Sequence, residues 1–300
     1  MNQAKWEEQA NKTVRFMVNS IWDGINQSDI DRFLSNFGDN QKVGLALLNM
    51  LIYYSEEQEA SIIENLLRLL WHDFWIKGCL GKYDNSSDLL YGELDELYKK
   101  MCFVPVNDKD DPSSSSYTLS SLYKKSKALP KTITFADPED IPLMMAIHKE
   151  YFVIYDDVIG TGNQFSVFWN STRHFGKHNM TLNMLAERNP NIRFYYLALG
   201  GYRDNIDKLQ KAFPNITIIV SEVFSDDCRV ISEKNEYWEF NPEIKQEVID
   251  YVTNKKRELN ASRNFSLDLP LLFQHCRAPN TTLSLYWAHK EDKWNELYRR

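Results

Sequence analysis

The sequence predicts an α/β fold: a parallel sheet flanked by helices, preceded by an all-helical amino-terminal region and followed by a small carboxyl-terminal β and aromatic addition. Three observations predict it. Helical periodicity runs through residues 1–100. From residue 101 onward, apolar runs alternate with helix-like stretches of about 10 to 15 residues, the pattern of βαβ units. Those apolar runs are hydrophobic at successive positions, as expected of strands covered on both faces. The chain therefore divides into a helical region over 1–100 and an α/β domain with its carboxyl-terminal extension over 101–300.

In the first region, Ser28 with Asp31 can cap a short helix that buries Ile30, Phe33, Leu34 and Phe37. Ser55 and Gln58 fit a capping box, after which Ile63, Leu66, Leu67, Leu70 and Phe74 recur on one helical face, and Gly78 stops the helix. Ser87 caps another helix, with Leu90, Leu94, Leu97 and Met101 buried. Residues 102–106 form a β-prone run that ends in the breaker-rich stretch 107–116, NDKDDPSSSS. It reads as a linker, or as a ligand-binding loop at a strand's carboxyl end. Strands are expected over 133–135, 151–155, 193–199 and 216–220, and helices after Pro138 and over 162–175, 182–188 and 204–213. Residues 242–259 read as one more amphipathic helix, and the last 35 residues hold short β-like runs with Trp287 and Trp294.

Composition excludes several classes. A chain of 300 residues with 43% hydrophobic side chains can bury a substantial core and is not disordered throughout. Its net charge of −7 argues against a general nucleic-acid binder. The longest nearly apolar run, residues 43–54, contains Asn49 and falls short of the roughly 18 residues that a membrane span needs. Glu7 and Glu8 and the lack of an apolar segment in residues 1–12 fit neither a secretory signal nor a mitochondrial presequence, so a cytoplasmic location is expected. Cys79, Cys102, Cys228 and Cys276 are too dispersed for a zinc ribbon or disulfide framework.

The most informative stretch is residues 151–164, YFVIYDDVIGTGNQ. A buried strand leads to two adjacent carboxylates, Asp156 and Asp157, and then Gly160, Thr161, Gly162, Asn163 and Gln164 turn the chain into a helix. A Gly-Thr-Gly turn at a helix start presents several backbone N–H groups together, which with the helix dipole cradle a phosphate. The neighbouring carboxylates suit sugar hydroxyls, or magnesium shared with a pyrophosphate. Together they describe a ribose 5-phosphate pocket.

At these residues the sequence resembles the type I phosphoribosyltransferases, whose signature is several apolar residues, two acids and a Thr-Gly loop. The resemblance implies a phosphoribosyltransferase-like sheet, with Gly160 to Gln164 on the 5-phosphate of phosphoribosyl pyrophosphate and Asp156 and Asp157 toward its ribose hydroxyls. It further implies Mg2+ on the leaving pyrophosphate and an oxocarbenium-like displacement that the carboxylates stabilise. Asp157 can alternatively act as a base toward the incoming nucleophile. Gly160 stands where many members have a second Thr, and Gln164 where they have a hydroxyl residue. No Gly-rich pyrophosphate loop follows Val106, where Ser113, Ser114, Ser115 and Ser116 offer hydroxyls instead.

The tail, residues 278–300, and the helical stretch 31–55 look like a bacterial group of phosphoribosyltransferase-like conflict effectors, some similar to accessory proteins encoded beside retron reverse transcriptases. That likeness implies an antiphage effector whose partners would be a retron reverse transcriptase and its DNA, or another defence-system protein. Two further readings stay open: a catalytically silent nucleotide-sensing module that binds a partner, and a hydrolase that cuts a nucleoside glycosidic bond. Elsewhere, His174 and His178 lie four apart, but surface or packing roles suit them better than metal binding. Gly200 and Gly201 read as a tight turn, with anion approach beside Arg203 as the alternative. Asp226 and Asp227 read as solvated, Trp287 and Trp294 as core, and Lys124, Lys125, Lys127 and Lys131 as a solvated basic face.

Overall fold

The computed structural model describes residues 3–77, 87–106, 115–175, 178–259, 267–290 and 293–298. Residues 107–114 of the stretch expected to be a loop over 107–116, the expected helix stop at Gly78, and Cys79 lie outside the described residues. The helices are α1 (Gln3–Ser20), α2 (Gln27–Ser35), α3 (Gln41–Met50), α4 (Glu56–Ile76), α5 (Ser87–Lys99), α6 (Ser115–Lys125), α7 (Ile141–Ala146), α8 (Asn163–Asn170), α9 (Leu182–Arg188), α10 (Arg203–Ala212), α11 (Tyr237–Phe240) and α12 (Lys245–Glu258). The strands are β1 (Ile52–Tyr54), β2 (Met101–Pro105), β3 (Thr134–Phe135), β4 (Tyr151–Ile159), β5 (Arg173–Phe175), β6 (His178–Met180), β7 (Arg193–Tyr202), β8 (Ile216–Phe224) and β9 (Leu271–Phe273). Two compact units result, one of Met1–Glu59 with Phe224–Arg300, the other of Ala60–Val223.

The second unit is the expected α/β layer structure. Its five-stranded sheet has the order β3-β2-β4-β7-β8, and the pairings of β2 with β3, β2 with β4 and β4 with β7 are parallel. Side chains alternate between the two faces. Cys102, Val104, Phe152, Ile154, Phe194 and Tyr196 meet Phe165, Trp169, Leu182 and Leu209 of the helices on one side. On the other side, Phe74 of α4 packs edge-on against Tyr151 at 5.1 Å and beside Tyr195 at 5.0 Å, while Tyr123 of α6 lies 4.7 Å from Tyr155. Phe74 is wholly buried, a burial that stabilises by roughly 1.5–3 kcal/mol.

The other unit is mostly helical. Phe33, Phe37, Tyr286 and Trp294 form an aromatic centre, with Phe33 stacked on Tyr286 at 6.0 Å and Phe37 edge-on to Trp294 at 5.3 Å. Trp294 is core, as expected, and its indole N–H donates to the Leu285 carbonyl at 2.9 Å. One short strand enters the otherwise helical first stretch: β1 pairs in parallel with β9 across more than two hundred residues. The turn after β9 is organised by Glu59, which is fully buried and accepts from the His275 amide at 2.6 Å and the Cys276 thiol at 3.1 Å.

Several boundaries differ from expectation for identifiable reasons. Asn26, not Ser28, caps α2, because Asn26 and Asp29 complete a reciprocal capping box. The box at Ser55 and Gln58 forms as expected. The helix expected over 162–175 ends at Asn170, where Asn170 and Ser171 turn their side chains onto carbonyls of the preceding turn. The strands β5 and β6 pair antiparallel, so His174 and His178 do not share a helix face, and the His174 imidazole meets Asn179 at 2.6 Å. Asp226 and Asp227 are not simply solvated: they start a short 3-10 turn, with Asp226 paired to Arg229 at 3.1 Å and Asp227 bonded to Ser225. Among the described residues no helix is long and apolar enough to cross a membrane.

Candidate active site

The sheet reverses direction of growth between β2 and β4: the chain crosses from β2 to β3 on one side and to β4, β7 and β8 on the other. In open α/β sheets, the crevice outside the carboxyl ends of the strands at such a switch point is where ligands bind. Asp156, Asp157 and the turn at Gly160–Gly162 sit at that end of β4. A cleft of about 420 Å³ lined by Lys77, Arg193, Asn215 and Thr217 opens at the opposite, amino-terminal end of β7 and β8, away from the acids.

β4 runs four residues further than expected, because Val158 pairs with Gly200 and Ile159 with Gly201 of β7. Gly200 and Gly201 are thus strand residues and not a tight turn. Gly201 has a packing reason: a Cβ there would come within 2.8 Å of Ile206 and 3.3 Å of the Ile159 Cβ. Both acids therefore lie within a strand, and the pleat sends them to opposite faces.

Asp156 points to the face of Ile154 and Tyr196. It is 2% exposed and accepts from the Asp157 amide at 3.0 Å and the Tyr196 hydroxyl at 3.1 Å. Burial, and then the charge of Asp157, push its pKa well above the usual carboxylate range, and the two hydrogen bonds only partly oppose them. Tyr196 holds its own proton firmly, because burial and the facing carboxylate both raise its pKa. Its ring stacks on Phe165 of α8 at 4.0 Å, which ties the acid to the helix after the turn. Asp157 lies on the face of Tyr155, is 8% exposed, and accepts from the Val158 amide at 2.6 Å.

The turn has a regular hydrogen-bond logic. Gly162 adopts φ +75°, a left-handed conformation that favours glycine, directly before α8. The Gly162 carbonyl accepts from both the amide and the hydroxyl of Ser166, at 3.0 and 2.9 Å. The Gly160 carbonyl accepts from the Asn205 side chain of α10 at 2.7 Å. Thr161 Oγ1 accepts from the Asn163 amide at 3.3 Å. Among the described residues, the N–H groups of Thr161 and Gly162 donate to no acceptor. Carbonyls turned back and amides left over make an anion-binding concavity. The side chains of Thr161, Asn163 and Gln164 are exposed around it.

The structure thus brings Asp156, Asp157 and the segment from Gly160 to Gln164 to one strand end. Ser113 and Ser114 lie outside the described residues, and Ser116 is buried with its hydroxyl on the Val106 carbonyl. Among the described residues no group of three or more His, Cys, Asp or Glu side chains could hold a metal on its own. Sequence reasoning missed Tyr196 and Asn205. Both sit on other elements, and only the strand register and the packing of α10 bring them to the site.

No curated protein matches the chain. A family model described as PRTase-CE matches residues 30–300, which include both acids, the turn and the tail. The agreement of that match with a parallel sheet carrying an acidic strand end and a Gly-Thr-Gly turn leads to one conclusion: the chain belongs to the phosphoribosyltransferase-like family PRTase-CE.

Proposed function

We propose that the protein binds phosphoribosyl pyrophosphate, or a related nucleotide, together with Mg2+ at the carboxyl end of β4 and acts at the ribose anomeric carbon as a phosphoribosyltransferase-like enzyme. One observation carries the reading: next to the buried acids stands a turn whose Gly160 and Gly162 carbonyls are engaged behind it while, among the described residues, the Thr161 and Gly162 amides find no acceptor. Amides in that state suit a phosphate, and carboxylates beside them suit sugar hydroxyls.

In this reading the turn anchors the 5-phosphate and so fixes the sugar over the strand end, where orientation lowers the entropic part of the barrier. Asp157 accepts from ribose hydroxyls or takes the proton of the incoming nucleophile. Asp156, buried behind the strand end, accepts from the Asp157 amide and the Tyr196 hydroxyl and so holds the backbone that carries Asp157 in place. The all-oxygen donor set suits a hard cation that draws most of its ligands from pyrophosphate and water, with one or two carboxylates contributing. Bound there, Mg2+ would offset the charge of the departing pyrophosphate.

The proposed setting is an antiphage system of the retron kind, with this chain as its toxic arm and a reverse transcriptase and its DNA as partners. The likeness of residues 31–55 and 278–300 to conflict effectors supports it. The test is pyrophosphate release, or consumption of a nucleotide, by the purified protein, compared with Asp156→Asn and Asp157→Asn. Turnover that both substitutions abolish in folded protein is the expected result. Turnover or cellular toxicity undiminished in the double variant would exclude this pocket.

A further inference from the structure

We infer that Asn205 is a positioning residue for the phosphate turn: its side-chain amide latches the Gly160 carbonyl and thereby aims the Thr161 N–H into the concavity. The role rests on the phosphate-binding function proposed above. A peptide unit is planar and trans, so its C=O and N–H point to opposite sides. The Gly160 carbonyl and the Thr161 amide belong to one such unit. When Asn205 Nδ2 holds the carbonyl at 2.7 Å, the Thr161 N–H is forced to face away from α10.

Without the latch the unit has little to orient it, because Gly160 has no side chain to resist rotation and, among the described residues, the Thr161 amide has no acceptor of its own. The rest of the turn is fixed by other means. Ser166 holds the next carbonyl but one, and the left-handed Gly162 packs so closely on α10 that a Cβ there would lie 3.1 Å from Leu209. Lys208 Nζ donates to Asn205 Oδ1 at 3.4 Å, which leaves the Asn205 nitrogen side toward the turn. Asn205 stands in the first turn of α10, where aspartate is favourable to the helix, so Asn205→Asp changes the latch without weakening α10. A carboxylate in that place would repel the Gly160 carbonyl.

The experiment compares the full chain with Asn205→Asp and Asn205→Ala by calorimetric titration with ribose 5-phosphate and with phosphoribosyl pyrophosphate, alongside thermal midpoints and a crystal structure of ligand-free Asn205→Asp. The expected result is affinity for both ligands reduced about tenfold or more, unchanged midpoints, and a Gly160–Thr161 peptide turned over in the crystal. Parent-like affinity in both variants would overturn the inference and leave the proposed function standing. A Gly160 carbonyl still facing residue 205 in the variant crystal would overturn it too. If the parent binds neither ligand, the proposed function fails, and the orientation of that peptide in the crystal alone decides whether Asn205 is a latch.

Discussion

Replacing Asp156 by Asn should make the protein more stable while it loses its ligand. The carboxylate is 2% exposed, and the groups that act on its titration are Asp157 and Tyr196, with no cation among them. Burying an uncompensated charge costs several kcal/mol, of which the hydrogen bonds from Asp157 and Tyr196 return only part, leaving a net burden of about 1–3 kcal/mol. Asn keeps an acceptor for the Asp157 amide, and the Tyr196 hydroxyl can rotate to accept from the new amide. For a unit of this size each kcal/mol moves the midpoint by about 2–4 °C, so the variant should melt roughly 2–12 °C higher at neutral to alkaline pH. The raised pKa sets the sign of the pH dependence. Folded protein retains a proton that the unfolded chain releases, so the parent loses stability as pH rises from the unfolded value through the folded one. The gap between variant and parent is therefore smallest in acid and widens with pH. Scanning calorimetry across a pH series reads this directly, and a gap that stays constant or shrinks as pH rises would refute the reasoning.

Other substitutions test separate parts of the account. Gly162→Ala should cost about 1–2 kcal/mol for the left-handed backbone, plus the contact with Leu209, and Gly162→Asn should cost less; denaturant titration distinguishes them, and an Ala variant as stable as the parent would contradict the strain. Tyr196→Phe removes a donor from Asp156, so ligand affinity should shift to higher pH, and an unmoved pH profile would show that the hydroxyl does not tune the acid. Glu59→Ala leaves the half-buried His275 amide without this acceptor and should destabilise by about 1–3 kcal/mol, whereas Glu59→Gln retains an acceptor and should recover most of that loss; equal losses in urea titrations would contradict this.

Local signals were legible in the sequence and long-range ones were not. Ser55 and Gln58 announce α4 because a capping box is complete within four residues. The acids and the glycine turn are likewise a contiguous pattern. The end of β4 was not readable, because Val158 and Ile159 stay in the strand through pairing with Gly200 and Gly201, residues some forty positions away. The same is true of β1, a strand only by virtue of β9. That the two acids face opposite sides follows from the strand continuing through them, and the partners of that arrangement, Tyr196 and Asn205, carry no motif. The pairing of β5 with β6 was hidden by apolar residues whose spacing suits a helix, until Asn170 and Ser171 compete for its carbonyls.

The most direct test of the central claim is calorimetric titration of the purified protein with phosphoribosyl pyrophosphate, with and without Mg2+, alongside Asp156→Asn/Asp157→Asn. The account predicts magnesium-dependent binding that the folded double variant lacks. Equal binding by parent and double variant, or no binding by a folded parent, would contradict a phosphoribosyl pyrophosphate site at the end of β4.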